Sequence, residues 1–238
     1  LSYAATGLPE GLMLDPVTGR ISGRLARDAS VDGPYVVTLT ATDRQGGQVS
    51  TDIRLTVNNR VPVAADDAVS ASADRLAQAN VLDNDRDGLA DTDTLFVDQV
   101  AGSADNVGVA VAGSNGGQFA IASDGSLTFT PGNDFDALAP GRTASTAITY
   151  QVSDGQGGVA TARVVVTVTG VNDAPRVVEA LDDRRVADGN AVVIAAGQAF
   201  ADVDTGDRLT YSATGLPAGL AIDAETGTIT GSLGADAS

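Results

Sequence analysis

The 238-residue sequence has no cysteine, no histidine, no tryptophan and no lysine. Without cysteine there is neither a disulfide framework nor a thiol nucleophile, and without histidine the commonest general base and zinc ligand is missing too. Aromatic residues are few, 4 Tyr and 5 Phe, so a core must be built from Val, Ala, Leu and Ile. Positive charge is scarce: Arg alone supplies the 14 basic residues, against 31 acidic ones, for a formal charge of −17. A nucleic-acid partner needs a basic face and is not expected. No apolar run is long enough to cross a bilayer, so membrane insertion of this segment is not expected either.

Among the acids, Asp outnumbers Glu 28 to 3. Asp bonds its own backbone and tolerates tight turns, which accounts for most of these positions. The remainder are candidates for loop carboxylates gathered around a hard, oxygen-seeking cation.

What the sequence does contain is a stretch written twice. Leu1 to Ser30 and Leu209 to Ser238 match at 18 of 30 positions at an offset of 208, the signature of a window on a tandem array. An offset of that size exceeds one ordinary domain and fits a pair of units of about 100 residues each. Inside the first copy, turn residues recur at close intervals (Gly7-Leu8-Pro9, Asp15-Pro16, Thr18-Gly19), with short strands such as Arg20-Ile21-Ser22 between them.

Tyr35 to Asp43 and Val49 to Asn58 alternate apolar and polar residues on either side of Asp43-Arg44-Gln45-Gly46-Gly47, which predicts a β-hairpin with Val37, Ile53, Leu55 and Val57 inward. Ile148 to Asp154, Gly155-Gln156-Gly157-Gly158 and Ala160 to Thr169 repeat that hairpin. Asn59-Arg60-Val61-Pro62 and Asn172-Asp173-Ala174-Pro175 interrupt the pattern as linkers, and a weak helical period runs over Asp74 to Val81. The expectation is an all-β chain of tandem sandwiches with incomplete terminal units: 1–59, 60–173 and 174–238.

LPEGLMLDPVTGRISG and LPAGLAIDAETGTITG resemble the immunoglobulin-like, dystroglycan-type cadherin-like domains of large bacterial surface proteins. The middle of the chain is similar to VCBS-type cadherin-like repeats through NVLDNDRDG, GSLTFTPGNDFDAL and ITYQVSDGQGGVATARVVVTVTGVNDAP. On this resemblance 1–59 is the C-terminal part of an Ig/cadherin-like domain, 60–173 a complete VCBS/cadherin-like domain, and 174–238 the N-terminal part of another. The resemblance implies tandem modules of RTX-type adhesins, secreted or held on the surface of Gram-negative bacteria, with Ca2+ at the junctions.

In a seven-strand sandwich the linker, the loop after the second strand and the last hairpin loop share one end, so carboxylates there converge. Between the second and third units these are Asn172, Asp173, Asp202, Asp204 and Asp207, with Glu179 from the first strand. Between the first and second they are Asn58, Asn59, Asp66, Asp85, Asp87 and Asp154, with Asp43 the counterpart of Asp154 in the first unit. Arg60 stands where the second linker has Asp173, which weakens or displaces a cation site at the first junction. The other reading makes all these acids solvated turn residues or partners of Arg.

No catalytic machinery is expected. Paired Asp residues could serve a glycosidase, but the closest pairs lie in loops that turns or a cation explain better. Gly113 to Gly117 lacks the Lys and helix of a phosphate loop and reads as a hairpin turn. The primary reading is a structural extender of an adhesin, stiffened by calcium, whose partners are the neighbouring repeats of its own chain. The alternative is a module binding surface glycans or like adhesins; the absence of Trp counts against it, and Tyr35 and Tyr150 read as core. The terminal units are expected to be disordered or to complete each other between chains, with Ala174 to Asp207 of one chain pairing onto the first unit of the next.

Overall fold

The computed structural model describes residues 1–26, 29–88, 93–187 and 189–234. Alternating Val, Thr and Ala residues produce strands along much of the chain, and among the described residues the helical elements are two short 3-10 turns, Ala104–Asn106 and Ala196–Ala199. The chain is all-β, as expected.

The middle of the chain forms two four-stranded sheets. One has the order Phe96–Val100, Thr143–Ser153, Val159–Thr169, Asp67–Ser72; the other has the order Ala110–Ala112, Gln118–Ile121, Ser126–Thr130, Ala77–Asn80. The long hairpin of Thr143–Ser153 and Val159–Thr169 pairs over its whole length. Asp67–Ser72 then runs parallel to Val164–Thr169, in register from Asp67 with Val164 to Ser72 with Thr169. Both inner faces are apolar, and Phe119, Phe129, Val97, Val152, Val164 and Val166 are sealed from solvent in one core. The Phe119 and Phe129 rings lie 4.9 Å apart in a tilted arrangement. The weak helical period at Asp74 to Val81 is overruled: Ala77–Asn80 is a strand paired with Ser126–Phe129, because an edge of the second sheet offers it backbone partners and burial. Gly113 to Gly117 is the expected hairpin turn, closed by the Gly113 amide on the Gly117 carbonyl.

The flanking segments carry less. Residues 1–58 hold a sheet in the order Ser2–Thr6, Tyr35–Thr42, Gln48–Leu55, and a hairpin of Leu12–Leu14 with Ile21–Gly23. Residues 174–234 hold a sheet in the order Ala191–Ala195, Thr228–Ser232, Leu220–Ile222, and a short pair of Arg176–Val177 with Phe200–Ala201. The inward role expected of Ile53 is not realised, for it is 46% exposed, whereas its counterpart Val164 in the middle hairpin is fully buried. The sequence pattern is the same, but among the described residues no strand lies on the outer side of Gln48–Leu55 as Asp67–Ser72 lies beside Val159–Thr169.

Candidate metal centre

Two short loops meet at the second junction. Phe200–Ala201 ends at Asp202, and the turn that follows is held by the Asp204 amide donating to Asp202 Oδ1 (2.9 Å) and the Asp207 amide donating to the Asp204 carbonyl (3.3 Å). This winding brings carboxylate oxygens of Asp202, Asp204 and Asp207 to within 4.8 Å of one another. Oxygens bound to one calcium ion at about 2.4 Å are separated by at most about 4.8 Å, so the spacing suits a shared hard cation.

Asp204 is the pivot. Its side chain is buried; Oδ2 accepts from the Asp173 amide of the linker (2.9 Å), while Oδ1 is shielded from solvent with no hydrogen-bond partner. A buried carboxylate oxygen without a donor carries a large desolvation cost, which a bound cation would remove. The Thr205 amide donates to the Ala137 carbonyl (3.2 Å), tying the same loop to the middle unit. Partial burial, followed by the charges of Asp136, Asp204, Asp202 and Asp74, pushes the Asp173 carboxyl above the usual range. All these donors are oxygens, as calcium or magnesium prefers, and no soft ligand is present.

The other residues expected here sit at the rim. Asn172 is exposed and donates from Nδ2 to the Asp173 carbonyl (2.7 Å). Glu179 is exposed and outside the carboxylate triad, its amide donating to the Ala199 carbonyl (3.4 Å). Asp136 was not among the expected ligands. It lies in the PGNDFDAL loop of the middle unit, whose NDFD string offers two carboxylates in the way that Asp202-Val203-Asp204 does, and this was the available signal.

At the first junction the acids serve the backbone. Asp154 is buried; Oδ1 accepts from the Gln156 and Gly158 amides (2.8 and 2.9 Å) and Oδ2 from Asn59 Nδ2 (2.7 Å). Asn59 Nδ2 also reaches the Gln156 carbonyl, Ser30 Oγ donates to Gln156 Oε1, and Asn59 Oδ1 is buried with no hydrogen-bond partner. Asp66 Oδ1 accepts from the Arg163 amide (2.9 Å) and Asp85 Oδ1 from the Ala65 amide (2.7 Å). Asp87 is buried and accepts from the Asp93 amide (3.2 Å). Asp43 closes its own hairpin loop through the Gln45 and Gly47 amides, as Asp154 does in the middle unit. Asn58 and Arg60 are exposed. Among the described residues, the only group of three carboxylates close enough to share an ion is the one at the second junction.

A further acidic cluster surrounds Tyr150, whose expected core position is correct. Its buried hydroxyl donates to Asp67 Oδ2 (2.8 Å) and faces the Val81 and Ala65 carbonyls (2.9 and 3.3 Å) and Asp85 Oδ2 (3.4 Å). Burial is the main cause pushing the Asp67 and Asp85 carboxyls up, and burial followed by the Asp67 hydrogen bond pushes the Tyr150 phenol up.

Residues 59–170 match the family model described as Bacterial cadherin-like domain, and residues 1–58 and 174–238 match the one described as Putative Ig domain. No curated protein matches the sequence. Solved structures similar to the chain include extracellular cadherin domains 1-5 of Protocadherin Gamma B2, at 18% identity and a TM-score of 0.40 over 99% of this chain and 46% of that one. The human Desmocollin-1 ectodomain is similar at 13% identity and a TM-score of 0.38 over 98% and 47%. Mouse Cadherin-23 EC22-24 is similar at 16% identity and a TM-score of 0.41 over 98% and 75%. The chain spans less than half the length of the first two.

Proposed function

Because the chain belongs to the Putative Ig domain family, with a Bacterial cadherin-like domain between its two matching segments, we propose that it is a run of adhesion-related extracellular repeats divided at 1–59, 60–173 and 174–238. Its work is mechanical: it spaces and orients other parts of a large bacterial surface adhesin, and calcium stiffens it at the junctions. The families are adhesion domains without catalysis, which agrees with a chain lacking histidine and cysteine.

The observation that carries the reading is Asp204, buried, with Oδ1 lacking a donor inside a carboxylate triad. Asp202, Asp204 and Asp207 would hold the ion, with Asp173 of the linker and Asp136 of the middle unit beside them. When bound, the ion supplies positive charge that cancels repulsion among these acids. Asp173 lies on the path between units and Asp204 is hydrogen-bonded to it, so neutralising the cluster removes the force that would splay the third unit from the second. Extracellular calcium modules bind at roughly 10⁻⁴ to 10⁻³ M, which places the transition between cytosolic and external calcium.

The test is calcium titration of the whole chain by calorimetry, with small-angle scattering in calcium and in chelator. Binding in the millimolar range and a longer, narrower particle in calcium are expected, both weakened in Asp204→Asn. No heat of binding and an unchanged maximum dimension would overturn the reading.

A further inference from the structure

The hairpin turn Gly113 to Gly117, which links Ala110–Ala112 to Gln118–Ile121 in the second sheet of the middle unit, also clasps the first sheet. The Ser114 amide donates to the Ala147 carbonyl (3.0 Å) and the Ala147 amide to Ser114 Oγ (3.1 Å). The Asn115 amide donates to Thr146 Oγ1 (3.2 Å), and the Thr146 hydroxyl to the Gly116 carbonyl (2.8 Å). Asn115 completes the clasp, its Nδ2 donating to the Ser145 carbonyl (2.8 Å). Thr146 is buried, so its hydroxyl takes its partners from this turn instead of from water.

Asn115 is also the chemically weak point. Of the nine asparagines in the chain, it alone is followed by glycine, and it is exposed. A residue with a Cβ shields its own amide nitrogen; Gly116 has none, and its φ of +93° is one that few other residues adopt. Its amide is bonded only at 3.3 Å, to the Gly113 carbonyl. Once that amide gives up its proton to hydroxide, the Gly116 nitrogen can attack Asn115 Cγ. The Cγ–Nδ2 bond breaks, Nδ2 takes a proton from water and leaves as ammonia, and a cyclic imide remains. Water then opens the ring at either carbonyl, giving an aspartyl residue or an isoaspartyl one whose main chain runs through Cγ. Nothing is oxidised or reduced; one water is consumed for each ammonia released.

We propose that Asn115 is a site of spontaneous covalent modification, at which the loss of ammonia ages the middle unit by dissolving the clasp between its sheets. The closed clasp holds the reaction back, because Cγ cannot turn to the Gly116 nitrogen while Nδ2 is tied to the Ser145 carbonyl. Local opening of the turn therefore sets the rate. Once the reaction has run, the clasp cannot re-form. The Ser145 carbonyl then faces a carboxylate in place of a donor, and two acceptors cannot share a hydrogen bond. The new negative charge also adjoins Gly116, where the Asp134 carboxylate already stands, 2.8 Å from the point a Gly116 Cβ would occupy. The isoaspartyl product further lengthens the main chain by one carbon and moves Ser114 out of register with Ala147. A transient opening of the turn is thereby made permanent.

The test is incubation of the full chain at mildly alkaline pH and physiological temperature, followed by peptide mass mapping. The mass gain of amide-to-acid conversion is expected at Asn115 ahead of the other eight asparagines, in two isomeric products. Mass is the readout because Asp-Gly pairs such as Asp124-Gly125 form isoaspartate without changing it. Ser114→Ala removes one bond of the clasp and should convert severalfold faster than the parent. Asn115→Gln, whose longer side chain does not close the same ring, should show no gain at this position. Converted chains, separated by anion exchange on their extra negative charge, should melt at a lower temperature than unconverted ones. The proposal is overturned by a folded chain that gains no mass at Asn115 while the urea-unfolded chain converts fully, by Ser114→Ala converting at the parental rate, or by converted chains that melt with the parent.

Discussion

Tyr150 concentrates the chemistry of the middle unit in one atom. Its hydroxyl bonds Asp67 and lies against the carbonyls of Ala65 and Val81, so it joins the opening strand, the second sheet and the closing hairpin below the first junction. Tyr150→Phe preserves the ring packing and takes from the half-buried Asp67 carboxylate its phenol donor, at a cost of about 1 to 3 kcal/mol. Urea unfolding of the full chain should show this loss in the transition of the middle unit. A variant as stable as the parent would mean that water replaces the hydroxyl. Tyr150 as a core residue was readable from alternation along its strand, but its hydrogen-bond role was not, because Asp67 and Ala65 reach it from more than eighty residues away.

At the scale of elements, the two homologous hairpins show how much a strand owes to its cover. Gln48–Leu55 and Val159–Thr169 alternate alike and close on the same Asp-Gly loop, yet Val164 is sealed while Ile53 is 46% exposed. Val164→Ala should therefore cost about 2 kcal/mol. Ile53→Ala should cost about 1 kcal/mol, because nearly half of its surface already meets water. Denaturant titration of both variants checks the contrast, and equal losses would show that the first unit is covered in solution. The hairpins, the turn at Gly113 to Gly117 and the linkers were legible because period and punctuation are local signals. Burial of Ile53 and the strand at Ala77–Asn80 were not, since both depend on which distant segment lies alongside. The same limit holds at the candidate metal centre: the Asp202-Val203-Asp204 pattern is local, whereas the approach of Asp136 is set by how the third unit meets the second.

For the whole molecule, a charge of −17 makes acidity a stabilising or destabilising agent according to site. Burial raises Asp67 and Asp85, and burial with neighbouring acids raises Asp173. Groups raised on folding favour the fold below their ordinary value, and that contribution is lost as pH rises through the folded value. Asp15, Asp124 and Asp223 are instead lowered by backbone amides that cap their turns, and they favour the fold only above their ordinary value. In chelator, thermal stability should rise as pH falls from neutrality toward the ordinary carboxylate range, about 4, and decline below it, where the turn carboxylates protonate. Calcium should flatten the upper part of this curve. Circular-dichroism melts across pH check it, and a steady loss of stability from pH 7 downward would contradict it.

The parallel pairing of Asp67–Ser72 with Val164–Thr169 has a consequence for tension. The chain enters the middle unit at the start of the first strand and leaves at the end of the second, so a pull on the two ends draws the strands past each other lengthwise. Their cross-links are then loaded together in shear instead of being peeled one at a time, and the unit resists being stretched by its two ends.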